Sequence, residues 1–225
     1  MDVLNQTANT QPPTPNRQSL PMQQELFQQC LRDQAKTIEQ IKQAAHQLHE
    51  SVNQRYAVFL PYGYHLDMVV NGVRQYGHVV LAEPSDVIAV IFAAYYHDSI
   101  EDARVTYNDV LKEARQYMDE QHAVMAVEIV YALTNDKGRN RAERAGEKYY
   151  RGIRETPYAP LVKLADRLAN LEYSCQHGDA LNARMKEVYR NEMPHFLSAI
   201  DAHSDDLRFS LPQAMLDRIH ELLTE

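Results

Sequence analysis

The segment Asp86–Tyr96, DVIAVIFAAYY, constrains the fold more than any other part of the chain. After Asp86 it carries apolar or aromatic residues on every side, so it cannot lie at a surface with one face in water. Its length and its alanines favour a helix over a buried strand. The segment therefore predicts a central helix enclosed by other elements. It runs directly into His97-Asp98-Ser99-Ile100-Glu101-Asp102. Burying an imidazole and a carboxylate at the end of such a helix is costly unless something pairs with them.

The rest of the chain reads as further helices around this one. Residues 1–21 are polar and proline-rich and bury too little to fold alone, which predicts a flexible tail. In 22–54, apolar residues recur at helical spacing (Leu26, Phe27, Cys30, Leu31, then Ile38, Ile41, Ala45, Leu48), with a break near Asp33. Pro61-Tyr62-Gly63 reads as a turn before a helix from about His65, and Ser85 as the N-cap of the apolar segment. Thr106 and Asp109 resemble a capping box, and a helix over 122–133 ends in a turn at 135–138. The charged stretch 140–155 reads as one helix. Pro160 suits a helix N1 position and Gly178 a helix stop. Residues 180–202 form a helix that Pro194 should kink or split, and a last helix spans about 212–223. No strand-period segment or internal repeat competes. The expectation is a single compact all-α domain over 22–225.

Charge and cysteine usage narrow the function classes. The net charge is −8, whereas binders of long nucleic acid carry a basic surplus, so such a partner is not expected. A small anionic ligand remains compatible, because local basic groups or a metal override global charge. Cys30 and Cys175 stand far apart and form no disulfide framework, which predicts a reducing, cytoplasmic setting. No apolar run reaches the roughly 18–20 residues of a membrane span, and the N-terminus lacks the order of a signal peptide. Apolar faces in 22–54 and 180–223 serve either a homo-oligomer interface or the core, and periodicity does not choose between them.

Three separated elements offer metal ligands: His65, the pair His97-Asp98, and Asp166 within KLADRLANL. Imidazoles and carboxylates together suit Mn²⁺, Fe²⁺, Zn²⁺ or similar ions, and a dication there acidifies water for nucleophilic attack. Taken singly the residues say less. A lone histidine is more often a satisfied or surface residue, and Asp166 beside Arg167, taken alone, reads first as a helix-surface charge. Asp98, Glu101 and Asp102 share a face if the helix continues, and three carboxylates together call for a cation. Arg139, Arg141, Arg144, Lys148, Arg151 and Arg154 form a basic cluster. It is either a solvated face or a polyphosphate grip, in which Arg144 and Lys148 are the best placed. His46 and His49 have a metal-type spacing but no third partner, so surface placement is expected.

With those residues in view, the order His, His-Asp, Asp on helices resembles the HD superfamily of metal-dependent phosphohydrolases. The nearer likeness is to alarmone hydrolases of the RelA/SpoT type, which remove pyrophosphate from the 3′ position of (p)ppGpp with Mn²⁺. It rests on PYGYH (61–65), HDSIED (97–102) and KLADRLAN (163–170), and covers roughly residues 50–175. The resemblance implies an HD-domain helical bundle and His65, His97, Asp98 and Asp166 as ligands of a divalent metal, Mn²⁺ first. It also implies Glu101 and Asp102 as the water-handling pair, Asn170 as a nucleotide contact and Arg55 as a base-stacking residue. The chain departs from the family at Leu66 (usually Pro), at Tyr56 (commonly Lys), in a longer 65–97 segment and in LEYS after Asn170. The ligands themselves are intact. The implied enzyme is a small stand-alone hydrolase of a purine nucleotide. The alternatives are a broader HD nucleotidase or phosphatase acting on deoxynucleotide or dinucleotide phosphates, and a catalytically silent HD-fold nucleotide-binding module.

Overall fold

The structure, a computed structural model, describes residues 20–135, 138–177 and 179–224. It is a compact all-α fold. The chain opens with α1 (Gln24–Asp33) and α2 (Ala35–Ser51), separated at Gln34 as the break near Asp33 anticipated. A short antiparallel ribbon follows, β1 (Arg55–Tyr56) against β2 (Leu60–Pro61), with Arg55 opposite Pro61 and Tyr56 opposite Leu60. Then come α3 (Gly63–Tyr76), α4 (Asp86–Tyr96), α5 (Ser99–Asp102), α6 (Tyr107–Ala114) and α7 (Glu120–Leu133). The chain continues through α8 (Arg141–Arg144), α9 (Glu147–Glu155), α10 (Ala159–Gln176), α11 (Ala180–Ile200) and α12 (Gln213–Thr224). Among the described residues no helix is long and apolar enough to cross a membrane.

Helix α4 is the centre. Every residue from Val87 to Tyr96 is buried, and α2, α3, α7 and α10 pack against it. Each large apolar side chain buried in this way contributes about 1.5–3 kcal/mol relative to exposure. Helix α10 is the second hub, packed on α3, α7, α9, α11 and α12. Its approach to α3 is close because Gly72 faces Ala165: a Cβ built on Gly72 would stand 3.3 Å from the Ala165 Cβ. That contact sets the later part of α3 against the middle of α10, with His65 two turns earlier reaching Asp166.

Local chemistry explains several boundaries. Thr106 and Asp109 form a reciprocal capping box at α6, as expected. Asp119 caps α7, accepting from the His122 backbone. Pro160 stands in the first turn of α10, where its missing N–H costs nothing, preceded by Tyr158 in the left-handed region at φ 65°.

Other expectations need correction. The ribbon was not foreseen, since two-residue strands are too short to show a period of two; Ala57 (φ 45°) and Val58 (φ 77°) turn it with positive φ, a strained choice for a β-branched residue. Ser85 occupies the N-cap position of α4, but its backbone is helical and its side chain makes no capping bond. The stretch 140–155 is two helices, because Gly146 adopts an extended conformation between them. Pro194 lies inside α11 without splitting it. The tail at 1–19, the turn residues Asp136 and Lys137, and Gly178 lie outside the described residues.

Gly72→Val forces an isopropyl group, a Cβ with two methyls, into the α3–α10 contact. We expect it to lower stability by about 1–3 kcal/mol, as overpacking does. Urea unfolding followed by circular dichroism measures this, and an unchanged midpoint would show that α3 moves freely against α10.

Candidate metal centre

Three helices deliver the expected ligands to one point. His65 lies in the first turn of α3, its N–H donating to the Tyr62 carbonyl at 2.9 Å. His97 directly follows α4 and keeps a helical backbone, whereas Asp98 leaves it at φ −100°, ψ 2°. The turn is held by the Asp102 N–H donating to the Asp98 carbonyl at 2.8 Å. Asp166 stands mid-way along α10.

The donor atoms converge. His65 Nε2 lies 3.3 Å from His97 Nε2, 3.7 Å from Asp98 Oδ2 and 3.4 Å from Asp166 Oδ1. His97 Nε2 lies 3.0 Å from Asp98 Oδ2 and 3.9 Å from Asp166 Oδ1. Ligand atoms of His65, His97 and Asp98 all fall within 4.8 Å of one another, and Asp166 joins through both imidazoles. Both histidines are only 2% exposed.

The tautomer of His97 decides what this cluster is for. Its Nδ1 lies 2.9 Å from the Ala94 carbonyl, which can only accept, so Nδ1 carries a proton. In the neutral ring Nε2 is then a bare lone pair, aimed at another imidazole nitrogen and two carboxylate oxygens. His97 Nε2 and the two carboxylate oxygens are acceptors, and three acceptors facing one another at a buried point call for a proton or a metal ion between them. Two neutral histidines and two carboxylates fit a divalent ion of the Mn²⁺, Fe²⁺ or Zn²⁺ kind. His65 Nδ1 has no hydrogen-bond partner, so only the His97 ring is oriented from behind.

A proton is the other cation that can serve. Burial pushes the His97 pKa down, but the charge and hydrogen bond of Asp98 outweigh it and raise the pKa to about 9. Asp98 and Asp166 are both held well below the usual carboxylate range: burial opposes this, and the neighbouring His97 and Lys163 respectively overcome it.

A shell of partners fixes Asp166. Lys163 Nζ donates to its Oδ2 at 2.9 Å, and Asn170 Nδ2 donates to its Oδ1 at 2.7 Å and to its carbonyl at 3.0 Å. Tyr56 in turn donates its hydroxyl to Asn170 Oδ1 at 3.1 Å. Asn170, expected to meet a nucleotide, thus spends its amide on Asp166. Asp102 accepts from Gln54 Nε2 at 3.0 Å, and burial together with the Asp98 charge raises its pKa above the usual carboxylate value. Glu101 is exposed and accepts from Asn135 Nδ2 at 2.9 and 3.0 Å.

The centre floors a cleft of about 550 Å³, within the usual range for small-molecule sites. Glu101, Asp102, Asn170 and Arg144 line it. Arg55 lies exposed on the ribbon and is not among the lining residues. Lys148 lines a neighbouring groove with Arg151. Arg154 is spent on Glu147 and the Ala199 carbonyl. Sequence reasoning missed Tyr62, Lys163 and the α11 wall of Glu192 and His195. The first two stand three residues before His65 and Asp166, a spacing that marks one helix face. The α11 residues carried no local signal. The histidine pair 46 and 49 divides: His46 lies 3.2 Å from Asp67 Oδ1, whereas His49 is fully buried, contrary to its expected surface position. Burial lowers the His49 pKa to about 4.

The competition between ion and proton gives a pH dependence. A pKa raised above the unfolded value of roughly 6.5 means that His97 stabilises the metal-free fold below that pH. This contribution is lost as pH rises through about 9. Metal needs the neutral ring, so its affinity has the opposite slope. We expect Mn²⁺ binding to tighten from pH 6.5 to 9 with proton release, while the metal-free melting temperature falls over the same span. Calorimetric titration in buffers of different ionisation enthalpy reads the first, and a flat profile would remove His97 from the ligand set. No protein-family model matches the chain, and no curated protein sequence matches it.

Proposed function

We propose that the chain is a metal-dependent phosphohydrolase of the HD type, acting on a phosphorylated purine nucleotide with Mn²⁺ as its first candidate ion. The observation that carries this reading is the convergence of His65, His97, Asp98 and Asp166 on one buried point at the floor of an open cleft. The likeness of HDSIED and KLADRLAN to alarmone hydrolases supplies the substrate class. When bound, the ion would polarise a phosphoryl oxygen and acidify water.

The protein's own residues supply the rest. Asp166 and Asp98 hold negative charge against the ion, with Lys163 behind Asp166 keeping the site from excess anionic charge. Asp102, whose raised pKa makes it a better base than an ordinary carboxylate, takes the proton from the attacking water. Glu101 is anchored by Asn135 and steers that water from the cleft side. Arg144 meets the phosphates at the cleft wall.

One observation favours a broader nucleotidase. Arg55, the base-stacking residue of the resemblance, lies outside the cleft lining. Tyrosines 56, 149, 150 and 189 line the cleft instead. Tyr149, Tyr150 and Tyr189 are buried and the Tyr56 ring stacks on His65, so this lining offers no counterpart of a dedicated arginine contact to the base.

The test is phosphate and pyrophosphate release from ppGpp, ppApp and NADPH with Mn²⁺, for wild type and Asp98→Asn. We expect pyrophosphate from ppGpp or ppApp, reduced on the order of 10³-fold in the variant, because a lost ligand removes several kcal/mol of transition-state stabilisation. Release from NADPH alone would select the broader reading. Stoichiometric metal with no turnover on any substrate would leave a silent binding module.

A further inference from the structure

Tyr62 is tied to the metal centre in a way that neither the motif nor the cleft geometry required. It precedes α3, three residues before His65, and is only 8% exposed. Its hydroxyl donates to Asp98 Oδ2 at 2.5 Å, the same oxygen that lies 3.0 Å from His97 Nε2 and 3.7 Å from His65 Nε2. A carboxylate oxygen has two lone-pair directions. With one taken by Tyr62, the other is left aimed at the imidazoles.

Asp98 needs such a clamp more than Asp166 does. It has left the helix, its side chain is 23% exposed at the cleft, and rotation about its terminal bond would turn Oδ2 away from the histidines. Asp166 sits inside α10 with Lys163 and Asn170 on its carboxylate. Tyr62 is itself immobilised. Its ring stacks on His49 at 4.6 Å and 16°, and meets His65 edge to face at 5.6 Å and 66°. His49 is fully buried and neither of its ring nitrogens has a hydrogen-bond partner. Its contribution to Tyr62 is therefore its flat face.

Resting on the metal-site reading above, we propose that the Tyr62 hydroxyl is a positioning group that holds Asp98 Oδ2 toward the ion, with the His49 ring as its backing. Hydrogen bonds to ligating groups from behind typically account for about 10–100-fold in metal affinity. Removing the hydroxyl alone should cost the site that much without disturbing the fold. Replacing His49 by another flat ring should cost little.

The experiment is calorimetric titration of the full chain with Mn²⁺ for wild type, Tyr62→Phe and His49→Phe, with melting of each in EDTA. The expected result is a Kd about 10–100-fold weaker for Tyr62→Phe. His49→Phe should stay within about twofold of wild type on the same scale. A Tyr62→Phe protein that melts lower in EDTA yet binds Mn²⁺ as wild type does would overturn the proposal, since the tyrosine would then be structural only. Should Tyr62→Phe not fold, 3-fluorotyrosine at position 62 keeps the ring and makes the hydroxyl a stronger donor. An unaltered Kd there overturns the proposal equally. Wild-type protein that binds neither Mn²⁺ nor Zn²⁺ sinks the metal reading itself, an outcome separate from a failure of Tyr62 alone.

Discussion

The structure depends on one electrostatic constraint: two imidazole nitrogens and two carboxylate oxygens meet at the end of a helix that has no polar surface of its own. Helix α4 is enclosed from Val87 to Tyr96, so His97 and Asp98 emerge in a place that water cannot easily compensate. The Ala94 carbonyl commits one side of the His97 ring. What remains facing inward is the His97 lone pair beside two carboxylate oxygens, and such acceptors call for a proton or a metal ion between them. The surrounding donors serve that requirement. Lys163, Asn170 and Tyr62 each spend a hydrogen bond on a carboxylate of the set. Gly72 lets α3 come near enough to α10 for His65 to reach Asp166.

This arrangement separates two tasks by burial. The inner residues, His65 and His97, are buried. The outer ones, Glu101 and Arg144, are exposed and line the cleft. Asp98, Asp102 and Asp166 lie between, partly shielded. A gradient from closed core to open cleft keeps a charge-dense point dry on one side and accessible on the other. Strong electrostatic interactions with a small anionic ligand need both.

Much of this was legible in the sequence because its signals are local. The uninterrupted apolar run favoured a buried helix over a strand by its length and alanines, Thr106 and Asp109 marked a helix start, and residue type and order singled out the four side chains that converge. What escaped depended on partners distant along the chain or on elements too short to have a period. The ribbon at Arg55–Pro61 is two residues wide on each side and shows no alternation. Its geometry leaves Arg55 exposed and away from the cleft it was expected to line. His49 was expected at the surface because the pair with His46 lacked a third partner, yet it continues the buried face of Ile38, Ile41 and Ala45 and lies beneath Tyr62. Asn170 was assigned to a ligand on analogy. Its spacing of four from Asp166 already pointed to the intrahelical bond that it makes. The division of 140–155 turned on a single glycine within a run of charges.

The enclosure of α4 also bears on how the chain reaches this state. Its walls come from α2 and α3, which precede it, and from α7 and α10, which follow. Helix α10 ends only at Gln176, so during synthesis about 80 further residues must emerge before the last wall can close. Until then the ribosome-bound chain exposes VIAVIF, a stretch that is β-branched, uncharged and free of proline. Sequences of this composition pair readily with copies of themselves. The segment that anchors the finished protein therefore has, until later helices cover it, the composition of a self-pairing strand.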